Sequence, residues 1–328
     1  AAAGDGPPTA AALLRAFLDA KPKGADLARR IMPLNKGRQL TFDKGTLLMG
    51  VVNCTPDSFS DGGVVGPSGG PAAARTDWVQ GAVAAALRMA EAGADIVDVG
   101  GESTRPGADP VPVEEEIARV VPVVAGLRAA GGRGAEVAIS VDTRSRLVAA
   151  AAHAAGADII NDVSGGYHDP SILSYASIMG LPMIMMHMKG DPQTMNSLAK
   201  YDDVISEVSE YLLERVCYAE SLGIPRWNQM LDPGIGFAKD FDHNMRIMAD
   251  LDKLIDQCEN VPVLLGPSRK RFLGTLTGAE PRDRDFATAA AVCAGIQRGA
   301  AVVRVHEVAG MKQVVTVFDA ISNYGKEV

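Results

Sequence analysis

Eight apolar runs punctuate the chain: LLMGVVN at 47–53, DIVDVGG at 95–101, VAISVDT at 137–143, DIINDVSG at 158–165, MIMMHM at 183–188, QMLDPG at 229–234, VPVLLGPS at 261–268 and AVVRVHE at 301–307. Each reaches a polar residue, and the eight ends are Asn53, Asp98, Asp142, Asn161, His187, Asp232, Ser268 and Arg304. Between most runs the apolar positions switch to helical spacing. The clearest case is 202–222, where Val204, Val208, Tyr211, Leu212, Arg215, Val216 and Ala219 share a face, Asp202 and Asp203 stand at the start, and Gly223 follows the end. Similar segments lie at 77–92, 114–129, 145–155, 240–256, 283–298 and 309–322. Strand alternating with helix predicts an α/β fold with a parallel sheet, and eight such units suffice to close a TIM (β/α)8 barrel with a short N-terminal extension. The barrel is expected over 41–328, with 1–40 as linker and extension. Its reactive groups would gather where the strands end, the usual place for chemistry in this architecture. An open, doubly wound sheet is the alternative that periodicity alone leaves standing.

Two segments fall outside the repeat. AAAGDGPP opens without an initiator Met, as expected of a piece cut from a longer polypeptide, and Thr9–Ala20 predicts a short docking helix with Leu13, Leu14, Phe17 and Leu18 on its apolar side. A transit peptide would carry more Arg and Ser. GGVVGPSGGPAAA at 62–74 is too rich in Gly and Pro for regular structure and is long for a strand-to-helix loop, the property of a lid or a disordered segment.

The 328 residues, 47% of them hydrophobic, are enough to bury one large core. No apolar stretch approaches the roughly 20 residues of a bilayer span, which predicts a soluble protein. The net charge of -8 argues against a nucleic-acid partner, so an anionic substrate must meet a local positive patch. Cys54, Cys217, Cys258 and Cys293 are far apart without a CxxC pair, the usage of a reducing compartment, cytoplasmic or mitochondrial matrix.

The first strand end leads into NCTPDSFSDGG at 53–63, an oxygen-rich loop able to hold a hydrated Mg²⁺ or simply to cap itself through Asx turns. GGESTRPG at 100–107 sets Thr104 and Arg105 among residues that expose backbone NH groups, suited to an anion or to a plain surface turn. Asp142, Asn161 and Asp232 end three strands. Asp142 could cap the helix that begins near Ser145. Asp232, followed by Pro and glycines, could instead accept paired NH bonds from a flat heterocycle, with Asp142 and Asn161 meeting its remaining polar edge. GPSRKRFLG at 266–274 supplies Arg269, Lys270 and Arg271, and the two-residue strand period puts Arg304 and His306 on one face. Loops after the seventh and eighth strands often bind phosphate in such barrels. One of Arg269 and Arg271 is expected to be a solvated surface cation.

Taken together, NCTPDSFSDGG, GGESTRPGA, SVDT, INDVSGG, DPGIGF, GPSRKRFLG and RVH, in that order across 47–322, resemble the motifs of the dihydropteroate synthase family. HMKGDPQTM at 187–195 is similar to eukaryotic versions, in which this domain commonly follows a pyrophosphokinase domain in the same polypeptide. The resemblance implies condensation of 6-hydroxymethyl-7,8-dihydropterin pyrophosphate with p-aminobenzoate, giving 7,8-dihydropteroate and pyrophosphate. It also implies site roles. Asp142, Asn161, Asp232 and Lys270 would hold the pterin, Met186 and Gly266 would line its pocket, and Arg304 would stack on the ring. Asn53 would bind Mg²⁺, while Asp61, Thr104, Arg304 and His306 would organise the pyrophosphate. Phe59, Arg105, Pro106, Phe237 and Ser268 would shape the p-aminobenzoate site. The family forms homodimers. Cys54, Glu307 and the 64–76 segment depart from its usual pattern.

The implied reaction is an SN1-like displacement at the pterin methylene, in which charge stabilisation and positioning supply the catalysis and no strong general base is required. Two alternatives use the same residues: a catalytically silent pterin-binding domain, and a Schiff-base aldolase with Lys270 as nucleophile. A pterin-dependent methyltransferase relative is not expected to carry both NCTPDSFSDGG and GPSRKRFLG.

Overall fold

A computed structural model describes residues 31–42, 44–54, 72–105 and 107–325. The helix expected at 9–20, most of the 62–74 segment, and Asp57, Phe59, Asp61 and Pro106 lie outside these residues. The helix expected from 77 begins earlier, at Ala72, so the last three residues of the Gly- and Pro-rich stretch are helical.

A short antiparallel hairpin comes first, β1 (Ile31–Pro33) and β2 (Gln39–Thr41). Eight parallel strands follow: β3 (Leu47–Asn53), β4 (Ile96–Gly100), β5 (Ala138–Asp142), β6 (Ile159–Asp162), β7 (Met183–Met186), β8 (Gln229–Asp232), β9 (Leu264–Leu265) and β10 (Val302–Val305). Their order is β8-β7-β6-β5-β4-β3-β10-β9. The ring is completed by a parallel bridge between Leu231 and Val263 and a Leu231 N–H to Pro262 carbonyl bond of 2.9 Å. The expected barrel is therefore the one observed.

The two-residue period sorts each strand into an inside and an outside. Outward residues such as Leu48, Val97, Val99, Ile139, Val141, Ile160, Met183, Met185, Leu231, Val303 and Val305 pack beneath the surrounding helices in one large core. Inward residues Leu47, Met49, Ile96, Ala138, Ile159, Ile184, Met230, Leu264 and Val302 fill the base of the barrel. Met32 and Leu40 of the hairpin join that inner cluster, both nearly inaccessible, and close the N-terminal mouth. Burying each of these side chains stabilises the closure by about 1.5–3 kcal/mol. The next inward residue, two positions along, is Asp98 on β4, Asn161 on β6, Met186 on β7, Asp232 on β8 and Arg304 on β10. A polar layer thus sits directly on an apolar floor because β4, β6, β8 and β10 change character at the same height.

Helices stand where the periodicity predicts, with one division and some additions. The expected 240–256 helix is two, Phe241–Ala249 and Leu251–Gln257, sharing Asp250 as a junction outside helical dihedrals. Its carboxylate is held by Arg246 at 2.7 Å and Lys253 at 2.8 Å. Ser171–Met179 and Arg271–Thr277 are helices too short for the periodic pattern to announce. Asp203 caps Val204–Ser221 by accepting from the Ile205 N–H, as its position suggests. No described helix is long and apolar enough to cross a membrane.

Candidate active site

The polar layer is organised around Arg304. Its guanidinium donates to Asp98 Oδ2 from Nε at 2.8 Å, and its Nη2 lies 2.7 Å from the same oxygen and 3.0 Å from Asp142 Oδ2. Asn161 Nδ2 donates to Asp98 Oδ2 at 3.1 Å. Strands β4, β5, β6 and β10 are thereby tied across the barrel interior. Asp142 does not cap the helix Arg146–Ala155: the Ser145 N–H bonds Thr143 Oγ1 and the Arg146 N–H bonds Asp169. Burial and the neighbouring Asp98 carboxylate push Asp142 up to about 8, against the pull of Arg304. Asp98 Oδ1 is buried without a hydrogen-bond partner, an acceptor left open within the network.

Asp232 is buried and its Oδ1 accepts the Gly234 N–H at 2.7 Å. Burial raises its pKa, while Gly234, Lys270, Arg304 and Lys239 pull the other way. Lys270 lies 4.0 Å from the centre of the Phe237 ring, close enough for a cation–π contact. Its aliphatic stem crosses Gly236, where a Cβ would come within 3.0 Å of it; at φ +80 that position also favours glycine. Burial lowers the Lys270 ammonium to about 8, partly opposed by Asp232. The strand-tip residues Asp232, Lys270 and Arg304 therefore sit within electrostatic reach of one another. The wall at Gly266 is open beside Arg304, whose Cβ is the nearest atom at 3.9 Å to a Cβ built there. Met186 packs with Val163, Met188, Met195 and Ala238, with Phe237 against them.

His306 is neutral: burial, then Arg304 and other nearby cations, lower it to about 3. Ser268 Oγ accepts the His306 backbone N–H at 3.2 Å and lies 2.9 Å from Nδ1. A Ser268 hydroxyl that donates to Nδ1 corresponds to the tautomer with the ring proton on Nε2. The imidazole is an uncharged N–H donor in the field of Arg304, Arg269, Lys270 and Arg105. Arg269 is tied to Asp285 at 3.1 Å, so Arg271, exposed, is the solvated one of that pair.

The 100–105 segment is braced from below. Arg144 pairs with Glu102 at 2.7 Å, and Arg119 donates to the Gly101 carbonyl at 2.8 Å. Glu116 lies buried under this turn, raised to about 7 by desolvation. Thr104 and the exposed Arg105 follow, with Arg105 among the charges that depress His306. Asn53 ends β3, half-buried and level with Gly100. Asp142, Asn161, Asp232, Phe237, Gly266, Ser268, Lys270, Arg304 and His306 form one cluster, with Asn53, Thr104 and Arg105 at its edge. A cavity of about 770 Å³ lies to one side, lined by Arg144, Tyr167, Lys189, Tyr211 and neighbours, and includes none of the central carboxylates.

This geometry can bind a planar, nitrogen-rich ring by its polar edge and an anion beside it. The comparisons agree. The family described as pterin binding enzyme matches residues 49–306. The chain belongs to the pterin-binding enzyme family. It is 42% identical to the mitochondrial folate synthesis bifunctional protein of Arabidopsis thaliana over 91% of this chain and 53% of that protein. The chain thus spans about half the length of that bifunctional relative. It is 40% identical to the dihydropteroate synthase of Synechocystis, over 88% of this chain and 95% of that protein. The solved structure of the Xanthomonas albilineans dihydropteroate synthase with 4-aminobenzoic acid superimposes with a TM-score of 0.79 at 43% identity, covering 90% of this chain and 98% of the other.

Two central residues were given no site role by sequence, Asp98 although it is one of the eight strand ends. Asp98 sits inside an apolar strand, and its signal is an acid at the inward position of DIVDVGG, two residues after Ile96. Lys239, buried behind the DPGIGF loop, had no pattern to mark it.

Proposed function

We infer that the chain is a dihydropteroate synthase that joins 6-hydroxymethyl-7,8-dihydropterin pyrophosphate to p-aminobenzoate. The observation carrying this reading is the Arg304 network beside Asp232 and Lys270: ring acceptors and diphosphate-binding cations share one small volume. Asp142, Asn161 and Asp232 would accept and donate at the polar edge of the pterin, Lys270 would donate to it, and Met186 and Gly266 would line its faces. Arg304 has one edge occupied by the carboxylates, leaving its plane to lie against the ring.

The methylene carbon–oxygen bond breaks, the bonding electrons leave with pyrophosphate, and the positive charge spreads into the dihydropterin. The neutral arylamine attacks with its nitrogen lone pair, forms the carbon–nitrogen bond and loses a proton to water. Thr104, Arg304 and the Nε2–H of His306 stabilise the departing charge. Phe237, Arg105 and Ser268 shape the arylamine side; of the residues outside the described ones, Phe59 and Pro106 are assigned to that side and Asp61 to the pyrophosphate. Among the described residues no three His, Cys, Asp or Glu side chains are grouped to hold a metal. Asn53 offers one neutral oxygen, a donor set that fits a Mg²⁺ keeping waters and taking its other ligands from the diphosphate. When bound, the ion would offset leaving-group charge.

A coupled assay of pyrophosphate release with both substrates, with and without Mg²⁺, tests the reading; release that does not require p-aminobenzoate removes it. Lys270, lowered to about 8, has the property a Schiff-base enzyme needs. Borohydride with a carbonyl compound is expected to trap nothing. The homodimer is part of the proposal, supported by exposed Phe286, Val317 and Ile321 on the adjoining helices Asp285–Gln297 and Val308–Ser322. Light scattering should give twice the chain mass. Further proposals are a covalently linked pyrophosphokinase domain upstream and residence in a reducing compartment, cytoplasmic or mitochondrial matrix. Relatives that are bifunctional, one of them named mitochondrial, support these.

A further inference from the structure

The 232–239 loop carries both Asp232 and Phe237, and its backbone is strained at Ala238. Gly234, Ala238 and Gly236 all have positive φ, +47 at the non-glycine Ala238, a conformation that costs about 1–3 kcal/mol unless the surroundings enforce it. At Gly234 a Cβ would collide with the His187 carbonyl oxygen, so the loop runs hard against the end of β7. What enforces this path is a set of bonds from behind. Asn244 Oδ1 accepts the Gly236 N–H at 2.7 Å, and the Tyr201 hydroxyl donates to the Ala238 carbonyl at 2.9 Å. Lys239 folds back beneath the loop, where its Nζ donates to the Phe237 carbonyl at 3.0 Å and lies 2.9 Å from His187 Nδ1. Lys239 is only 8% exposed and His187 only 1%.

We propose that Lys239, seated on His187, is a positioning residue that fixes the 232–239 loop so that Asp232 and Phe237 meet the substrates. This rests on the assignment of Asp232 to the pterin. Nζ touches neither substrate; it reaches the site through the Phe237 carbonyl and through its field at Asp232. Burial and the nearby Lys270 and Lys189 lower Lys239 to about 7, with Asp232 opposing. The neutral amine still has two N–H groups, as many as the two bonds require, so the brace survives loss of the charge. His187, lowered to about 2 by burial and by Lys239, is neutral and accepts at Nδ1.

The test uses four variants of the whole chain. Lys239→Met keeps the straight apolar stem and removes both bonds. His187→Leu removes the acceptor, His187→Asn places an amide oxygen where Nδ1 stood, and Asp232→Ala reports on the pterin assignment itself. Because a misplaced binding group weakens ground state and transition state alike, Lys239→Met is expected to raise KM for the pterin pyrophosphate by about 10-fold or more with kcat within about 3-fold. His187→Leu should follow it, and His187→Asn should return KM to within about 3-fold of the parent. Folding is checked by circular dichroism on each. Should a folded Lys239→Met keep the parental KM, or His187→Asn be as impaired as His187→Leu, the inference is overturned. If Asp232→Ala also leaves pterin affinity unchanged, it is the site assignment that has failed; if Asp232→Ala weakens binding and Lys239→Met does not, only the brace has.

Discussion

Replacing Arg304 with methionine removes the one cation that joins Asp98 to Asp142. Asp98 is fully buried and Asp142 nearly so, with side-chain exposures of 0% and 11%. Taking away one partner of a buried pair costs about 3–5 kcal/mol, because the charge left behind has neither water nor counterion. Arg304 itself is 22% exposed, so some water fills in and the lower end, about 3 kcal/mol, is the better expectation. For a chain of this length that is a fall in Tm of about 4–8 °C across the range. The pH dependence has a defined sign. Asp142 in the folded protein is raised to about 8 from an ordinary 3.8; the folded state therefore holds a proton that the unfolded state gives up, and stability declines as pH rises across that window. Without the guanidinium the group is raised further, so the gap between variant and parent should be wide at pH 8 and narrow at pH 5. Thermal unfolding at both values reads it. Adding Asp98→Asn to the variant should recover part of the loss. A gap under about 1 °C at pH 8, or one that widens on acidification, would refute the reasoning.

Four further outcomes test the chemistry. Lys270→Ala should lower turnover by about 100- to 1000-fold, as loss of a preorganised charge donor does; a near-parental rate would contradict its role. In the parent, Lys270 is protonated below about 8, so kcat/KM should fall as pH rises past that value, and Lys270→Arg should move the limb upward. Asp232→Ala should weaken pterin binding by about 10-fold or more through loss of charge-assisted hydrogen bonds, measured by calorimetry. Removing Mg²⁺ with a chelator should slow turnover while leaving the binding of pterin lacking pyrophosphate unchanged.

How much of this was legible beforehand follows from the physics of each element. The barrel strands announce themselves because they are buried on both faces and read as apolar runs. The site residues announce themselves because a polar group ending such a run has a reason to be there. Asp98, read as a strand end, was given no site role because apolar residues follow it in the same run, and only the alternation Ile96, Asp98 against Val97, Val99 turns it inward. Lys239 meets the loop at the Phe237 backbone carbonyl, a contact with no side-chain signature. The hairpin Ile31–Thr41 is invisible to periodicity because each strand has three residues. The split at Asp250 comes from an ion-paired junction that a helical pattern passes over.

The plug formed by Met32 and Leu40 has a kinetic corollary. A vessel stoppered at its base has a single doorway, so whatever settles deepest must arrive first and depart last. On the proposed reading the bicyclic substrate occupies the depth and the benzoate the threshold, which makes addition sequential, the bicycle before the arylamine.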